Sequence, residues 1–568
     1  MNRLLFFFLY LFSIAPIAGQ TLFTLDSAYT TPPKEIRAMW LTTYSGLDWP
    51  SRPATTPKGL ERQKAELCTI LDQLQAAGIN TVLFQARIRS TTSYPSAIEP
   101  WDEAFTGTPG KAPAYDPLQF AIEECHRRNM ELHAWVVAFP IVKTPTAKQL
   151  GKQALPRRQP KLCQLCGNQW IMDPGVPETS SYLANLCKEI VERYAVDGIH
   201  LDYIRYPEKG IPFNDNRTYR KYGKGKQLAD WRRENVTRVV RTIYETVKAV
   251  RPWVKVSCSP VGKYADLRQQ SSYGWNARDA VYQEAQNWLR DGIMDILFPM
   301  MYFDGKHFYP FAFDWQENSY GRQVAPGLGI YFLHPAQKNW DLTVVQRQLY
   351  FLRQLHTSGQ AHFRSRFFTD NVKGLYDFAH NDFYRRPVAT PPMTWMKAVA
   401  PERPRVRLQL LGDDLQFEWD RAMGNTPDST IRYTVYYCPA DTFDARTCEI
   451  LAFRLRDRSF RYRPALPRRL YGHYAVTATD AYGNESAAQI VQAAALGHSS
   501  YTIVDHQLDL PEVDGAEFVL ICDSKGRPIL TCPYQSTINV NQLQTGCYEV
   551  RSLGKKGRSH ALLTFWKR

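Results

Sequence analysis

The 568-residue chain lacks several features that would assign it at once to a common class of protein. Beyond its N-terminal segment we find no apolar run of the roughly 20 residues that a membrane-spanning helix needs. We find no concentrated Lys/Arg arm and no nucleic-acid recognition motif, although the formal net charge is +15. A glycine-rich phosphate loop is missing after the first predicted strand. The sequence therefore favours neither a multispan membrane protein nor a nucleic-acid or dinucleotide binder.

The cysteines do not form a metal-binding pattern. Cys163 and Cys166 make a CxxC pair, but no second pair exists to complete the four ligands that zinc usually takes. We expect a local disulfide or two free thiols there, and we predict neither a metal nor another cofactor. The chain has 11 cysteines, an odd number that leaves at least one without a partner in the same chain. Cys438 and Cys448 are close in sequence and could bridge two neighbouring strands.

The N-terminus has the pattern of a secretory signal peptide, which we place at residues 1–19. Arg3 provides a positive charge, Leu4–Phe12 is a short apolar core, and small residues precede a plausible cleavage before Gln20. An uncleaved N-terminal anchor is the alternative. We expect an exported protein that is periplasmic, secreted or attached to the cell surface.

Strand and helix patterns alternate over residues 32–395. Alternating strands and amphipathic helices predict a parallel sheet, and eight such units fit a (β/α)8 TIM-type barrel. A doubly wound open sheet is the rival architecture. The predicted strands are Ile36–Tyr44, Thr81–Ile88, Glu131–Phe139, Gly198–Tyr206, Val254–Pro260, Asp295–Phe303, Val324–Phe332 and Phe363–Phe368.

Two small all-β domains are predicted after a proline-rich linker, so the fold class is an α/β barrel followed by two all-β domains. Residues 400–496 resemble a fibronectin type III domain, on the basis of Trp419 and of alternating strands such as Tyr474–Thr479. Residues 500–568 resemble the C-terminal sorting domain of proteins exported by type IX secretion, on the basis of Asp523–Leu530 and Leu543–Tyr548. An accessory β-domain without an export role is the alternative.

The most informative stretch is the fourth predicted strand. Ile199 and Leu201 point one way, whereas His200 and Asp202 share the opposite face just before the strand ends. In a (β/α)8 barrel, catalytic side chains lie at the C-terminal ends of the strands. We predict that Asp202 is catalytic; the alternative is that it caps a loop and that His200 is a satisfied core histidine.

Polar and aromatic residues also occupy the predicted inward faces or C-terminal ends of other strands, where branched apolar residues are usual. Aromatic rings can stack on sugar rings, and the amide, guanidinium and imidazole groups can hydrogen-bond sugar hydroxyls or a carboxylate. The predicted substrate-binding residues are Trp40, Gln85, Arg87, His133, Trp135, His200, Tyr203, Arg205, Tyr302 and Asp304.

Cleavage of a glycosidic bond requires two carboxyl groups. We predict Asp202 as the nucleophile or stabilising carboxylate, kept ionised by His200 and Arg205. Glu284 is the first choice for the acid, with Asp304 second and Glu208 third; an ordinary helix carboxylate is the alternative reading of Glu284.

A set of motifs in residues 35–302 resembles the glycosyl hydrolase-like 10 family. The resemblance implies an exported (β/α)8 glycoside hydrolase acting on a cell-envelope glycan, with peptidoglycan strands stripped of their peptides favoured. The chain departs from the family pattern at Tyr203, where a second Asp is common, and at Glu284, where many relatives have Asp. The matching motifs are Glu35–Thr43, Leu47–Pro50, Phe84–Arg87, Tyr115–Leu118, Glu131–Trp135, Asp173–Glu178, Val196–Pro207, Trp231–Asn235 and Phe298–Tyr302.

The leading hypothesis is therefore a glycoside hydrolase with a polysaccharide substrate, and we expect no nucleic-acid partner. Its basic charge would attract an acidic or amino-sugar polymer, and the β-domains suggest association with the cell envelope. A metal-dependent amidase or deacetylase with His133, His200 and Asp202 as ligands is one alternative. A non-catalytic glycan-binding surface protein is another, and the oligomeric state stays open.

Overall fold

The computed structural model describes residues 31–208, 210–268, 274–397, 399–411, 414–464, 472–493, 501–513, 515–523, 526–554 and 559–567. The predicted signal peptide at residues 1–19 lies outside the described residues. Within the described part of the chain, none of the helices combines the length and apolarity that a membrane crossing requires.

Eight parallel strands form the first and largest unit. Seven of them are buried along their whole length, as expected for strands covered on both faces. Strands β6 and β7 are each interrupted by two residues and so consist of two short segments. The strands are β1 (Ile36–Leu41), β2 (Thr81–Arg87), β3 (Glu131–Val137), β4 (Gly198–Asp202), β5 (Lys255–Cys258), β6 (Ile296–Leu297 and Met300–Met301), β7 (Gln323–Val324 and Gly327–Leu328) and β8 (Gly359–His362).

The hydrogen-bonded pairings of these strands run round a closed cycle. The first five strands pair in chain order, and β5 pairs with the first segment of β6. Both segments of β6 pair with the matching segments of β7, the second segment of β7 pairs with β8, and β8 pairs with β1. The predicted barrel is confirmed, and the open sheet is excluded because its edge strands would remain unpaired.

The sequence pattern predicted the eighth strand at the wrong residues. Phe363–Phe368 is not a strand; the strand is the preceding Gly359–His362, and Ser365–Thr369 is a short helix. Gly359 has a φ of 142°, and a Cβ at that position would lie 2.0 Å from the carbonyl oxygen of Ile36. Only glycine allows this close approach of β8 to β1, and the short polar strand carries no apolar run that the sequence pattern could have revealed.

Amphipathic helices cover the barrel, and their buried stripes match the predicted ones. The first helix begins after Thr56, whose side chain accepts a hydrogen bond from the backbone N–H of Gly59, and it buries Leu67, Leu71 and Leu74. The principal helices are α1 (Pro57–Ala76), α2 (Pro117–Arg127), α3 (Glu178–Arg193), α4 (Leu228–Val250), α5 (Ala285–Arg290), α6 (Tyr309–Glu317) and α7 (Leu342–Gln354). A small antiparallel sheet of Pro140–Lys143, Cys163–Cys166 and Gln169–Met172 is inserted between β3 and β4.

Several small, mostly antiparallel sheets follow the barrel. Two of them share one apolar core that includes Phe417, Trp419, Val435 and Tyr474. Their strands are Val406–Leu411, Asp414–Trp419 and Ser459–Tyr462 in one sheet, and Arg432–Cys438, Glu449–Leu455, His473–Thr479 and Gln489–Gln492 in the other. The last segment forms a five-stranded sheet of Tyr501–Val504, Ala516–Cys522, Pro528–Pro533, Gly546–Gly554 and Ser559–Lys567, with a two-stranded sheet of Gln507–Asp509 and Thr537–Asn539.

Candidate active site

Asp202 is the last residue of β4 and lies at the mouth of the barrel, by which we mean the C-terminal ends of β1–β8. Only 5% of the residue is exposed. Its carboxyl oxygens accept three hydrogen bonds: from the indole N–H of Trp135 at 3.2 Å, from the backbone N–H of Tyr203 at 2.7 Å and from the hydroxyl of Ser259 at 3.0 Å. These donors come from β3, from the residue after β4 and from the residue after β5. Asp202 therefore lies buried at the C-terminal end of the fourth strand, as the alternation of that strand predicted, but the sequence predicted none of its three donors.

Two opposing effects act on the acidity of Asp202. Burial raises the pKa of its carboxyl group, whereas the nearby Arg205 and the three hydrogen bonds lower it; the net result is a pKa above the ordinary value.

His200 lies below Asp202 in the closed interior of the barrel and does not contact it. Its Nε2 accepts a hydrogen bond from Trp40 at 3.1 Å, and its Nδ1 is 3.0 Å from the hydroxyl of Ser257, which itself donates to the carbonyl of Ile199. Burial lowers the pKa of His200 well below the usual range, so the ring is neutral. The prediction that His200 binds substrate and keeps Asp202 ionised is wrong on both points, because the ring is fully buried and uncharged.

The inward-facing tryptophans are also buried and cannot stack on a sugar. Trp40 packs edge-on against His200, and Trp135 uses its N–H to hold Asp202. Among the described residues, two exposed rings lie beside Arg205 at the mouth: Tyr203, which is 38% exposed, and Trp275, which is 42% exposed. Sequence reasoning missed Trp275 because it follows β5 in a long loop that carries no strand periodicity.

Arg205 lies between these two exposed rings. Its guanidinium carbon is 4.4 Å from the ring centre of Tyr203 and 5.7 Å from that of Trp275. One terminal nitrogen is 3.1 Å from Glu208, and the other is buried and has no hydrogen-bond partner among the described residues. Tyr203 itself has a φ of 50°, a backbone conformation that non-glycine residues rarely adopt and that is concentrated at functional sites. The mouth therefore offers two flat rings beside a guanidinium group that is itself buried.

Tyr302 lies at the end of β6 on the same side as Asp202. Its ring stacks on Phe363 with 5.4 Å between centres. Burial raises the pKa of the Tyr302 hydroxyl well above its usual range, and the charge of the nearby Asp202 adds to this effect. Tyr302 is thus a neutral hydroxyl close to the carboxyl group, as a substrate-binding role requires.

Gln85 and Arg87, both predicted to bind substrate, serve the scaffold instead. The side-chain oxygen of Gln85 accepts hydrogen bonds from Thr42, Thr43 and Tyr44 and so holds the loop after β1. Arg87 is fully buried in a two-point pair with Glu99, both distances being 2.7 Å, and it also donates to the carbonyl of Ala138. Its guanidinium is therefore not available at the mouth.

The predicted zinc ligands do not converge. In the pairing of β3 with β4, His133 is opposite Gly198 and Val137 is opposite Asp202. His133 therefore lies four residues, or about 13 Å, below Asp202. Its Nε2 is 3.2 Å from Glu131, at the other end of the strand. Among the described residues, no group of three or more His, Cys, Asp or Glu side chains is placed to hold a metal ion.

The three candidates for the acid occupy different places. Glu284 lies at the start of α5, where it is 3.9 Å from Arg233 of α4 and 3.1 Å from Asn287, so its partners belong to the helical layer. Asp304 is exposed at the end of β6, before a short turn. Glu208 contacts Arg205, which also acts on Asp202. Glu208 thus shares a partner, Arg205, with Asp202, whereas the contacts of Glu284 lie in the helical layer.

The sequence and the structure resemble known carbohydrate-active proteins. The model of the family described as Glycosyl hydrolase-like 10 matches residues 35–338. The chain is 31% identical over 482 residues to Glycosyl hydrolase YngK of Bacillus subtilis (strain 168), covering 80% of this chain and 92% of that protein. It is 35% identical over 288 residues to Glycosyl hydrolase DigH of Escherichia coli (strain K12), covering 47% of this chain and 65% of that protein.

Among solved structures, the glycoside hydrolase domain of PgaB (BpsB) from Bordetella bronchiseptica is similar, with a TM-score of 0.41 and 13% identity over 61% of this chain and 98% of that chain. The fold and the candidate site place the chain in the class of (β/α)8-barrel proteins, with a buried carboxylate and exposed rings at the mouth of the barrel. The sequence match specifies it further: the chain belongs to the glycosyl hydrolase-like 10 family.

Two substitutions distinguish a residue that supports the scaffold from a residue that is exposed at the mouth of the barrel. We expect Arg87→Ala to lower the free energy of unfolding by about 3–5 kcal/mol, because it leaves the buried Glu99 without its partner. Trp275→Ala should change it by less than about 0.5 kcal/mol, because the ring is exposed. Chemical denaturation followed by tryptophan fluorescence and circular dichroism measures both. Equal effects of the two substitutions would contradict the assignment of Arg87 to the scaffold.

Proposed function

We propose that the protein is a glycoside hydrolase that cleaves glycosidic bonds in a polysaccharide, with Asp202 as its central carboxylate. The observation that carries this proposal is the placement of Asp202, which is buried at the barrel mouth, held by three donors and adjacent to Tyr203, Arg205 and Tyr302. Membership of the glycosyl hydrolase-like 10 family supports the same reaction class.

In this proposal Asp202 attacks or stabilises the anomeric carbon as positive charge develops there. All three groups that hold it donate hydrogen bonds, so they favour its ionised form and fix its orientation. Glu208 donates the proton to the departing oxygen. Its side chain is half exposed and its carboxyl group lies across Arg205 from Asp202, so it can reach a bond that lies over the mouth. Glu284 is replaced in this role because its contacts lie in the helical layer.

The substrate that we favour is an acidic or amino-sugar glycan of the cell envelope, with peptidoglycan glycan strands first. Tyr203 and Trp275 provide faces for sugar rings, and the positive charge of the neighbouring Arg205 favours a glycan that carries a carboxylate. We further propose export through the N-terminal signal and a role for the following β-domains, of fibronectin type III and sorting-domain type, in placing the barrel at the envelope.

Product analysis by mass spectrometry tests the reaction. Purified protein is incubated with peptide-free peptidoglycan glycan and with neutral and acidic polysaccharides, with Asp202→Asn alongside and with one set in chelator. We expect shorter glycan chains that are absent with Asp202→Asn and unchanged by chelator. Acetate release or products that are lost in chelator would instead support a metal-dependent deacetylase or amidase. Glycan binding without any product would contradict catalysis.

The dependence of activity on pH tests the environment of Asp202. If the ionised form is required, activity falls as the pH drops through a pKa above the ordinary value for Asp. We expect Ser259→Ala to move this acid limb of kcat/KM upward by about one to two pH units, because it removes a donor to the charged form.

Ser257→Ala is the matched control, since Ser257 lies two residues earlier on the same face and contacts His200 instead of Asp202. An acid limb that moves equally in both variants, or in neither, would contradict the positioning role of Ser259.

The dependence of the cleavage rate on the leaving group identifies the general acid. We expect Glu208→Gln to reduce cleavage of the natural glycan by about 10²–10⁴-fold, the usual contribution of general acid catalysis. The same variant should cleave an aryl glycoside with a good leaving group at close to the normal rate, because that group departs without a proton. Glu284→Gln and Asp304→Asn should leave both substrates nearly unaffected; the Glu208 pattern appearing in either of them would reassign the acid.

A further inference from the structure

A second cavity lies at the opposite end of the barrel from Asp202, between the barrel and the four-stranded sheet that begins with Arg432–Cys438. We call it the interdomain cavity; its volume is about 450 Å³. The barrel contributes the N-terminal ends of its strands, including Glu131, Asp197 and Lys255. The sheet contributes one face, including Arg432 and Arg454. In barrels of this kind the catalytic groups are at the other end, so the glycosidase proposal does not use this cavity.

The cavity has an excess of positive charge. Six Lys or Arg residues and three Asp or Glu residues line it. Two of the three acidic groups are already paired: Glu131 is 2.7 Å from Lys255 and 3.1 Å from Arg454, and Asp197 is 2.8 Å from Arg454. These pairs join the sheet to the barrel and neutralise one another. Lys34 is paired with Glu485 at 2.7 Å, so Asp480 remains against Arg251, Arg432 and Arg456.

Arg432 and Arg456 are held by neutral partners. One terminal nitrogen of Arg432 donates to the carbonyls of Ser429 and Ile431 at 2.7 and 2.8 Å. Arg456 lies 2.8 Å from Nδ1 of His126, whose Nε2 is 2.8 Å from Asp197. Because Arg456 can only donate, Nδ1 of His126 must accept, and the ring supplies no negative charge.

The charges of these arginines oppose one another. Burial lowers the pKa of Arg432 to about 10, and the neighbouring Arg454 and Arg456 contribute to the same shift. Arg432 and Arg454 are partly buried and Arg456 is exposed, and like charges brought close together repel unless an anion accompanies them. The structure thus has an electrostatic strain that a bound anion would relieve.

Hydroxyl groups complete the lining of the cavity. Arg432 is paired in register with Thr479 of the neighbouring strand, and Thr434 lies two residues further along the same face. Ser429 and Thr430 border the same space. Guanidinium groups surrounded by Ser and Thr hydroxyls are typical donors to the oxygens of phosphate.

We propose that the interdomain cavity is a binding site for a phosphate ester, with Arg432 and Arg456 as its principal ligands. A phosphate monoester carries close to two negative charges at neutral pH, whereas a carboxylate carries one, and Arg432 and Arg456 form no ion pair with an acidic side chain among the described residues. A further cavity of about 410 Å³ shares His126, Ala195 and Arg456 with this one, which leaves room for the organic group attached to the phosphate. Bound there, the ligand joins the β-sheet more firmly to the barrel.

Calorimetric titration of the full chain with inorganic phosphate, at constant ionic strength, tests the proposal. We expect one saturable site and a rise in melting temperature with phosphate concentration, because a ligand of the folded state stabilises it. Glycerol 3-phosphate, a glycerol phosphodiester and glucuronate are titrated in parallel. Tighter binding of the monoester or of the diester identifies the source of the phosphate, and preferential binding of glucuronate would overturn the choice of phosphate.

The double variant Arg432→Gln/Arg456→Gln should weaken phosphate binding by about 10–100-fold. Arg458→Gln, an exposed arginine two residues beyond Arg456 that does not line the cavity, should bind as the unmodified chain does. Both variants leave Arg454 and its ion pairs in place, and circular dichroism verifies that they are folded. Absence of saturable binding, or equal loss in the variant and the control, would overturn the proposal.

Discussion

The burial of one carboxyl group at the mouth of the barrel is the constraint on which the candidate site depends. Removing a carboxylate from water costs several kcal/mol, and each hydrogen bond to a charged group returns about 1.5–3 kcal/mol. Asp202 receives three, from Trp135, Tyr203 and Ser259. Because these donors belong to three adjacent strands or to the residues directly after them, their convergence requires the register of β3, β4 and β5 in the parallel sheet. The site is thus a product of the fold and not of one local motif.

The barrel interior supports this arrangement from below. Trp40, His200 and Ser257 form a hydrogen-bonded layer beneath Asp202 that is closed to solvent. Lower still, His133 fills the space above Gly198, where a Cβ would lie 2.6 Å from the imidazole. Polar side chains thus occupy positions that branched apolar residues fill in most barrels, and each layer restricts the rotamers of the one above it. Most of the inward-facing polar residues that the sequence showed are therefore structural, and Asp202, at the C-terminal end of β4, is the candidate functional group among them.

The barrel fold could be predicted because the same patterns of strand and helix recur along the chain. Seven of the eight strands carry apolar periodicity, and the helices between them show matching stripes; the eighth strand, with its polar residues and Gly359, does not. Asp202 could be predicted from the two-residue alternation of β4. The same alternation failed at Arg87, because the register of β2 against β3 shifts between Gln85 and Arg87 and turns the later side chain towards Glu99.

Burial and loop geometry account for the other differences between the expected and observed sites. Sequence alternation assigns His200 and Trp135 to the inward face but does not say how far below the mouth they lie, and depth decides whether a side chain meets substrate. Trp275 and the contact between Arg205 and Glu208 depend on how loops fold over the mouth. Such contacts join residues far apart in the sequence or without strand periodicity, so no local pattern reveals them.

The central claim is that Asp202 is the group that meets the anomeric carbon. Chemical rescue measures this directly: Asp202→Gly removes the carboxyl group and leaves space for a small external nucleophile. We predict that this variant is inactive alone, that azide restores cleavage of an activated glycoside, and that mass spectrometry detects the glycosyl azide. An Asp202→Gly enzyme that retains normal activity, or that azide does not rescue while the corresponding Glu208 or Asp304 variant is rescued, would contradict the account.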